Sequence, residues 1–177
     1  MQTAGGRSDM FSITAIGQDS HRFMTEEAAA SSGRVLRLGG LAIEGFPALD
    51  GNSDADVVLH ALTNALSGLS GVRVLGASAD EMARRGITDS GAYVARALEE
   101  LGDILLTHLS FSIEAKRPRL AALIDPMREN IARMTGLSVR HVAITATSGE
   151  DLTAFGRGEG IACFCAASAV VLRENRN

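Results

Sequence analysis

Two short stretches hold residues able to do chemistry. Asp19 and His21 stand two apart in Gly17-Gln18-Asp19-Ser20-His21-Arg22-Phe23, after the alternating run Phe11, Ile13, Ala15, Ile16. The alternation predicts a strand over 10–18, and in extended backbone residues two apart point the same way. His60 closes the second stretch, Gly51 to His60, which reads as a loop running into a helix over 53–69. Ser53 is a candidate N-cap, and Asp56 three residues on makes a capping-box-like pair. Asp54 and Asp56 then fall in the first turn, where the helix dipole favours negative charge. Val57, Val58, Leu59, Ala61, Leu62 and Leu66 follow with helical period, and His60 interrupts them one turn after Asp56. Each feature alone has an ordinary reading: a core histidine with a partner, and a solvated strand end. Together, one carboxylate and two imidazoles make three ligands. Three ligands with an open fourth position describe a catalytic zinc site rather than a structural one.

The elements that must position these residues can be read in order. Residues 1–9 read as a loose tail and 10–173 as one domain; 24–33 reads as a surface loop with room for a helical turn. Residues 34–43 alternate around Gly39-Gly40, predicting a strand with a bend. After the helix over 53–69 the chain is less regular through 88, with a short helix near 82–85. An amphipathic helix follows from Asp89 or Ser90 to Gly102, with Tyr93, Val94, Ala97, Leu98 and Leu101 on one face. A strand over 103–114, a helix from Pro118 to Thr135 kinked at Pro126, and a strand over 139–147 come next. A glycine-rich turn leads into a last apolar strand over 161–172. Alternating strands and helices of this kind predict a single α/β domain of the α+β type, a mixed sheet with helices on one face.

Composition removes several function classes. The chain has 177 residues, a net charge of −4 and 4% aromatics. It has neither the basic stripe nor the stacking platforms that nucleic-acid binding needs. No apolar run is long enough to span a membrane, and the first ten residues lack a signal-peptide core. Cys163 and Cys165, two apart, suit reduced core thiols better than a disulfide, which predicts a cytoplasmic protein.

Three separated segments, in order, resemble the 2-C-methyl-D-erythritol 2,4-cyclodiphosphate synthase family. They are Gly17-x-Asp19-x-His21-Arg22-Phe23, Ser53-Asp54-Ala55-Asp56-x-x-x-His60 and Gly156-Arg157-Gly158-Glu159-Gly160-Ile161-Ala162. Ala115-x-Arg117-Pro118-x-Leu120 with Met127-Arg128 looks like the nucleotide-side segment of the same family. The resemblance implies a homotrimer built around a central sheet core, with active sites between subunits. It implies a cytidine diphosphate-linked substrate, 4-diphosphocytidyl-2-C-methyl-D-erythritol 2-phosphate, whose 2-phosphate attacks the β-phosphorus and expels CMP. By position Asp19, His21 and His60 would carry Zn2+ or another divalent cation. Glu150 would hold Mg2+ or Mn2+ with the diphosphate. Asn52 and Ser148 fall at catalytic positions. Ser53, Ala115, Lys116, Arg117, Pro118, Arg119, Leu120, Ala146, Thr147, Phe155 and Arg157 fall at substrate and nucleotide positions, with Glu159 beside Arg157 near the threefold axis.

The sequence also departs from the family pattern. Asn52 replaces a histidine beside the phosphates, and Asp151 replaces a lysine, exchanging an attractive charge for a repelling one. Residues 71–88 lack the elements that bind the methylerythritol unit. These changes leave a second reading: a metal- and cytidine-nucleotide- or diphosphate-binding trimer that does not cyclise.

Overall fold

The computed structural model describes residues 10–172. The chain forms β1 (Met10–Arg22), α1 (Glu26–Ser32), β2 (Leu36–Leu38), β3 (Leu41–Ile43), α2 (Val57–Ser70) and α3 (Ala77–Arg84). It continues with α4 (Ser90–Glu99), β4 (Leu105–Glu114), α5 (Ile124–Thr135), β5 (Val142–Thr147) and β6 (Gly160–Leu172). The four long strands make a mixed sheet in the order β1-β6-β4-β5, antiparallel except for the parallel pair β4–β5. β2 and β3 form a separate two-stranded sheet.

The core lies between the sheet and the helices. Cys163, Cys165, Ala167 and Ala169 of β6 and Leu109, Phe111 and Ile113 of β4 face inward, and α2 lies across β1 and β6. α2 is buried nearly all round because α4 covers its other side. One residue sets how closely α2 approaches. At Gly17 in β1 a Cβ would run into the Ala61 carbonyl oxygen and the Ala65 amide nitrogen. Absence of a side chain there lets helix backbone lie on strand backbone.

Several expected boundaries move, each for a local reason. The bend at Gly39-Gly40 is a full hairpin turn, since both glycines take positive φ (60° and 81°) and return the chain on itself. α2 begins at Val57, with Asp56 rather than Ser53 as N-cap, so no acid lies in its first turn. The buried Asp56 carboxylate accepts from Val58 N and Leu59 N (both 3.1 Å), Gly39 N (2.9 Å) and Gly40 N (2.6 Å), tying the helix start to the hairpin. It therefore faces the hairpin rather than His60. β1 runs four residues further than the alternation suggests, because β6 pairs with it as far as Arg22. The loop expected over 24–33 contains α1, capped by Thr25 and ended by Gly33. The short helix near 82–85 is the longer α3. α5 starts at Ile124, not Pro118, and Pro126 sits in its first turn, where its missing N–H breaks no helical bond and causes no kink. The tail 1–9 and residue 173 lie outside the described residues. No helix among them is long and apolar enough to cross a membrane. Cys163 and Cys165 are buried free thiols, and burial pushes both above the usual thiol range.

Candidate metal centre

Asp19 and His21 project from the inward face of β1, opposite Cys163 and Ile161 of β6. His60 comes from the first turn of α2, which the Gly17 contact brings down onto that strand. The three side chains converge. Asp19 Oδ2 lies 3.0 Å from His21 Nε2 and 2.9 Å from His60 Nδ1, and the two nitrogens are 3.4 Å apart. Among the described residues this is the group of metal-ligating side chains close enough to share one ion.

The outer nitrogens fix the imidazoles. His21 Nδ1 donates to the Asp50 carbonyl at 2.6 Å. For His60 to offer its Nδ1 lone pair its proton sits on Nε2, where Ser53 Oγ, 3.2 Å away, accepts it. Imidazole ligands are held in this way, with the far N–H bound to a carbonyl or hydroxyl so that the near lone pair faces the metal. Burial pulls the Asp19 carboxyl up, but the bonds from His21 and His60 outweigh it and hold the carboxyl well below the usual carboxylate range. The same bond from Asp19 raises His21, against the opposing effect of burial. An ionised carboxylate and two oriented imidazoles fit a divalent cation of the zinc type.

A cavity of about 210 Å³ opens on this centre. Its polar wall is the triad with Asn52 and Ser53, and its apolar wall is Leu75, Ala79 and Ala83 with Tyr93. Tyr93 packs 6.0 Å from the His60 ring and donates its hydroxyl to the Ile87 carbonyl at 3.0 Å. Asn52 is exposed, as a residue facing a ligand must be.

The other sequence-predicted residues cluster elsewhere, and none of them lines this cavity in its own chain. Ala115 N donates to the Thr147 carbonyl (3.0 Å) and Lys116 N to the Phe155 carbonyl (3.3 Å), which joins the 115–120 segment to the end of β5 and the following turn. Pro118 and Leu120 are buried beneath it, whereas Arg119 and Ala146 are exposed. Arg117 lies over the Phe23 ring, 5.0 Å from its centroid. Ser148 Oγ donates to Glu150 Oε1 at 2.6 Å, in a turn where Glu150 and Asp151 both take positive φ. Arg157 Nε pairs with Glu159 Oε1 at 3.0 Å, and Arg22 reaches the other oxygen of the same carboxylate at 3.3 Å. One expected liability is offset: the Lys116 ammonium forms an ion pair with Asp151, so the acid does not stand as an isolated repelling charge.

Sequence reasoning missed the Ser53 bond to His60, because it used Ser53 as a helix cap. It also missed Arg34, whose guanidinium holds three carbonyls of the 49–53 loop; a lone arginine beside a glycine gives no signal of that kind.

Similarity to known proteins agrees with this geometry. The sequence pattern described as the YgbB family matches residues 13–170. A 2-C-methyl-D-erythritol 2,4-cyclodiphosphate synthase from Chlamydia muridarum (strain MoPn / Nigg) is 44% identical over 152 residues, 85% of this chain and 83% of that protein. The bifunctional IspDF of Campylobacter jejuni superposes with a TM-score of 0.81 at 25% identity, covering 94% of this chain, which spans 44% of that longer one. A CDP-bound 2C-methyl-D-erythritol-2,4-cyclodiphosphate synthase structure, at 24% identity, shares the fold with a TM-score of 0.72 over 88% of this chain and 98% of that one.

Proposed function

The chain belongs to the YgbB family, and from that membership we propose that it is a 2-C-methyl-D-erythritol 2,4-cyclodiphosphate synthase. It acts as a phosphorus–oxygen lyase of isoprenoid precursor biosynthesis by the non-mevalonate route. It cyclises 4-diphosphocytidyl-2-C-methyl-D-erythritol 2-phosphate and releases CMP. The observation that carries the reading is the convergence of Asp19, His21 and His60 beside the exposed Asn52 and the hydroxyl of Ser53.

Asp19, His21 and His60 would hold zinc, and Glu150 would hold magnesium or manganese. Such ions, when bound, neutralise charge on the diphosphate oxygens. The chain's own residues do the rest by positioning. Ser53 and the Asp50 carbonyl keep both imidazoles turned to one point. Leu75, Ala79, Ala83 and Tyr93 exclude water from one side of the pocket. Asn52 donates its amide to a phosphate oxygen. The attacking group is the substrate's own 2-phosphate, so the reaction is intramolecular and needs no side-chain nucleophile. Ala115, Lys116, Arg117, Pro118, Arg119 and Leu120, with Ala146 and Phe155, form the cytidine side; Thr147 and Ser148 supply hydroxyls to the diphosphate, and Arg157 lies near the threefold axis.

A homotrimer in the cytoplasm is part of this reading. Its support is the outer face of the sheet, where Ile16 is 72% and Phe164 46% exposed, and the absence of the cytidine-side residues from the metal cavity of their own chain. The test is CMP release from the family substrate by metal-loaded protein, with the product identified by mass. Cyclic diphosphate is expected, and His60→Ala should lose both bound zinc and turnover. If zinc-loaded wild-type protein binds the nucleotide but releases no CMP, the reading falls, and a non-cyclising metal- and nucleotide-binding trimer replaces it.

A further inference from the structure

The 49–53 loop supplies a group to each of the two imidazoles at the metal centre. The Asp50 carbonyl accepts from His21 Nδ1 at 2.6 Å, and the Ser53 hydroxyl lies 3.2 Å from His60 Nε2. The loop also presses on His21 directly, since a Cβ at Gly51 would stand 3.2 Å from His21 Cε1 and 3.4 Å from its Nδ1. The direction of both imidazoles is therefore only as well defined as the path of this loop. Main-chain bonds fix the chain on either side of its tip. Asp50 N donates to the Arg22 carbonyl at 2.8 Å, and Asp54 N to the Thr88 carbonyl at 2.9 Å. Between them, Gly51, Asn52 and Ser53 make no backbone–backbone hydrogen bond among the described residues.

Arg34 takes the place of those missing bonds. Its Nη1 donates to the Gly51 carbonyl at 2.9 Å, and its Nη2 bridges the carbonyls of Leu49 at 3.1 Å and Ser53 at 2.6 Å. One nitrogen thus joins the two ends of the loop while the other holds its middle. The arginine is itself anchored: it is half-buried, it follows Gly33, which ends α1 at φ 64°, and its own N–H donates to the Ser32 hydroxyl at 3.2 Å. The planar fork of a guanidinium reaches several carbonyls at fixed angles, which the compact ammonium of a lysine cannot.

From this arrangement we infer that Arg34 is a positioning residue of the metal centre. It makes no hydrogen bond to the three ligands; it holds the Asp50 carbonyl and the Ser53 hydroxyl where they turn both rings toward Asp19. The inference rests on the metal-binding part of the proposed function and is independent of the cyclisation.

The test is metal binding rather than turnover. Arg34→Met keeps much of the volume and removes every donor, whereas Arg34→Lys keeps the charge and removes the fork. Zinc affinity, from competition with a chelator, should fall about 10- to 100-fold in Arg34→Met, the range for groups that orient a metal ligand. Arg34→Lys should stay about tenfold below wild type, and it keeps the test decisive where the methionine variant fails to fold. The visible absorption of cobalt-loaded protein reports ligand geometry and should shift in both variants. In Arg34→Met combined with Ser53→Ala, the loss should fall short of the product of the two single losses by about fivefold, because both act on His60. Wild-type zinc affinity with an unshifted cobalt spectrum in the variants, whatever their melting temperature without metal, overturns the inference and leaves Arg34 a loop-stabilising residue only. Full recovery by Arg34→Lys overturns it too, since charge alone would then suffice, and so do single losses that simply multiply. If wild type binds neither zinc nor cobalt, the metal centre falls and the role of Arg34 with it. A wild type whose zinc binding depends on Arg34 but which releases no CMP sinks the cyclase reading and upholds this one.

Discussion

At the scale of single residues, the candidate metal centre is a set of three side chains able to act as ligands, whose directions are fixed from outside. Asp19 and His21 were legible because a two-residue spacing in a strand puts both on one face, and His60 because a histidine among aliphatic helix residues needs a partner. The hydroxyl that orients His60 was not legible. Ser53 precedes an apolar helical run, and such a serine normally caps the helix; here the helix starts later, at the buried Asp56, and Ser53 is free to reach His60 Nε2 at 3.2 Å. Ser53→Ala removes that acceptor and leaves the three ligands in place. Groups that orient a metal ligand typically account for 10- to 100-fold in affinity, so zinc binding should weaken by about that factor. Competition with a chelator of known affinity measures it, alongside circular dichroism, which should not change. Zinc affinity within twofold of wild type would mean that packing against Tyr93, rather than Ser53, sets the ring.

At the scale of elements, the site depends on how near α2 lies to β1. Sequence periodicity gave both elements, but periodicity carries no information on the separation between them. That separation is set by Gly17, where helix backbone occupies the space of a side chain, and again at Gly68, where a Cβ would come within 2.8 Å of Ala15 Cβ. The same limit explains why Gly39-Gly40 was read as a bend. Alternation continues through both glycines, and only their positive φ values turn the chain into a hairpin whose amides then bind Asp56. Gly17→Ala should therefore displace α2 rather than be absorbed by a flexible neighbour, because the obstructing atoms are backbone. Overpacking of this kind costs roughly 1–3 kcal/mol, and moving His60 away from Asp19 should cost metal affinity as well. Thermal unfolding with and without zinc checks both effects: the variant should melt lower and should lose most of the zinc-dependent rise. A variant that melts lower yet keeps the full zinc-dependent rise would show that α2 tilts without carrying His60 away.

At the scale of the whole molecule, the residues proposed to hold the metal and those proposed to hold the cytidine lie apart in the chain. The metal cavity takes its walls from β1, the 52–53 loop, α2, α3 and α4, whereas the segment from Ala115 to Leu120 joins the end of β5 and the turn through Phe155. If the active site is shared, each site joins the metal half of one subunit to the cytidine half of its neighbour. Two inactive variants can then restore each other. His60→Ala removes the metal half and keeps the cytidine half; Glu150→Gln does the reverse. In a mixed ring a working site forms wherever an intact metal half meets an intact cytidine half. Every mixed trimer, whichever variant is in excess, contains one such junction among its three. Random 1:1 assembly makes three-quarters of the trimers mixed, so co-expression should recover about a quarter of wild-type CMP release from two proteins that are each inactive. Zinc content should be about half of wild type, since half the subunits retain the ligand set. A site confined to one subunit predicts no recovery at all, because no chain in the mixture has both halves intact. Recovery near a quarter therefore requires both assembly and sharing, whereas stable mixed trimers without activity would place the complete site within one chain.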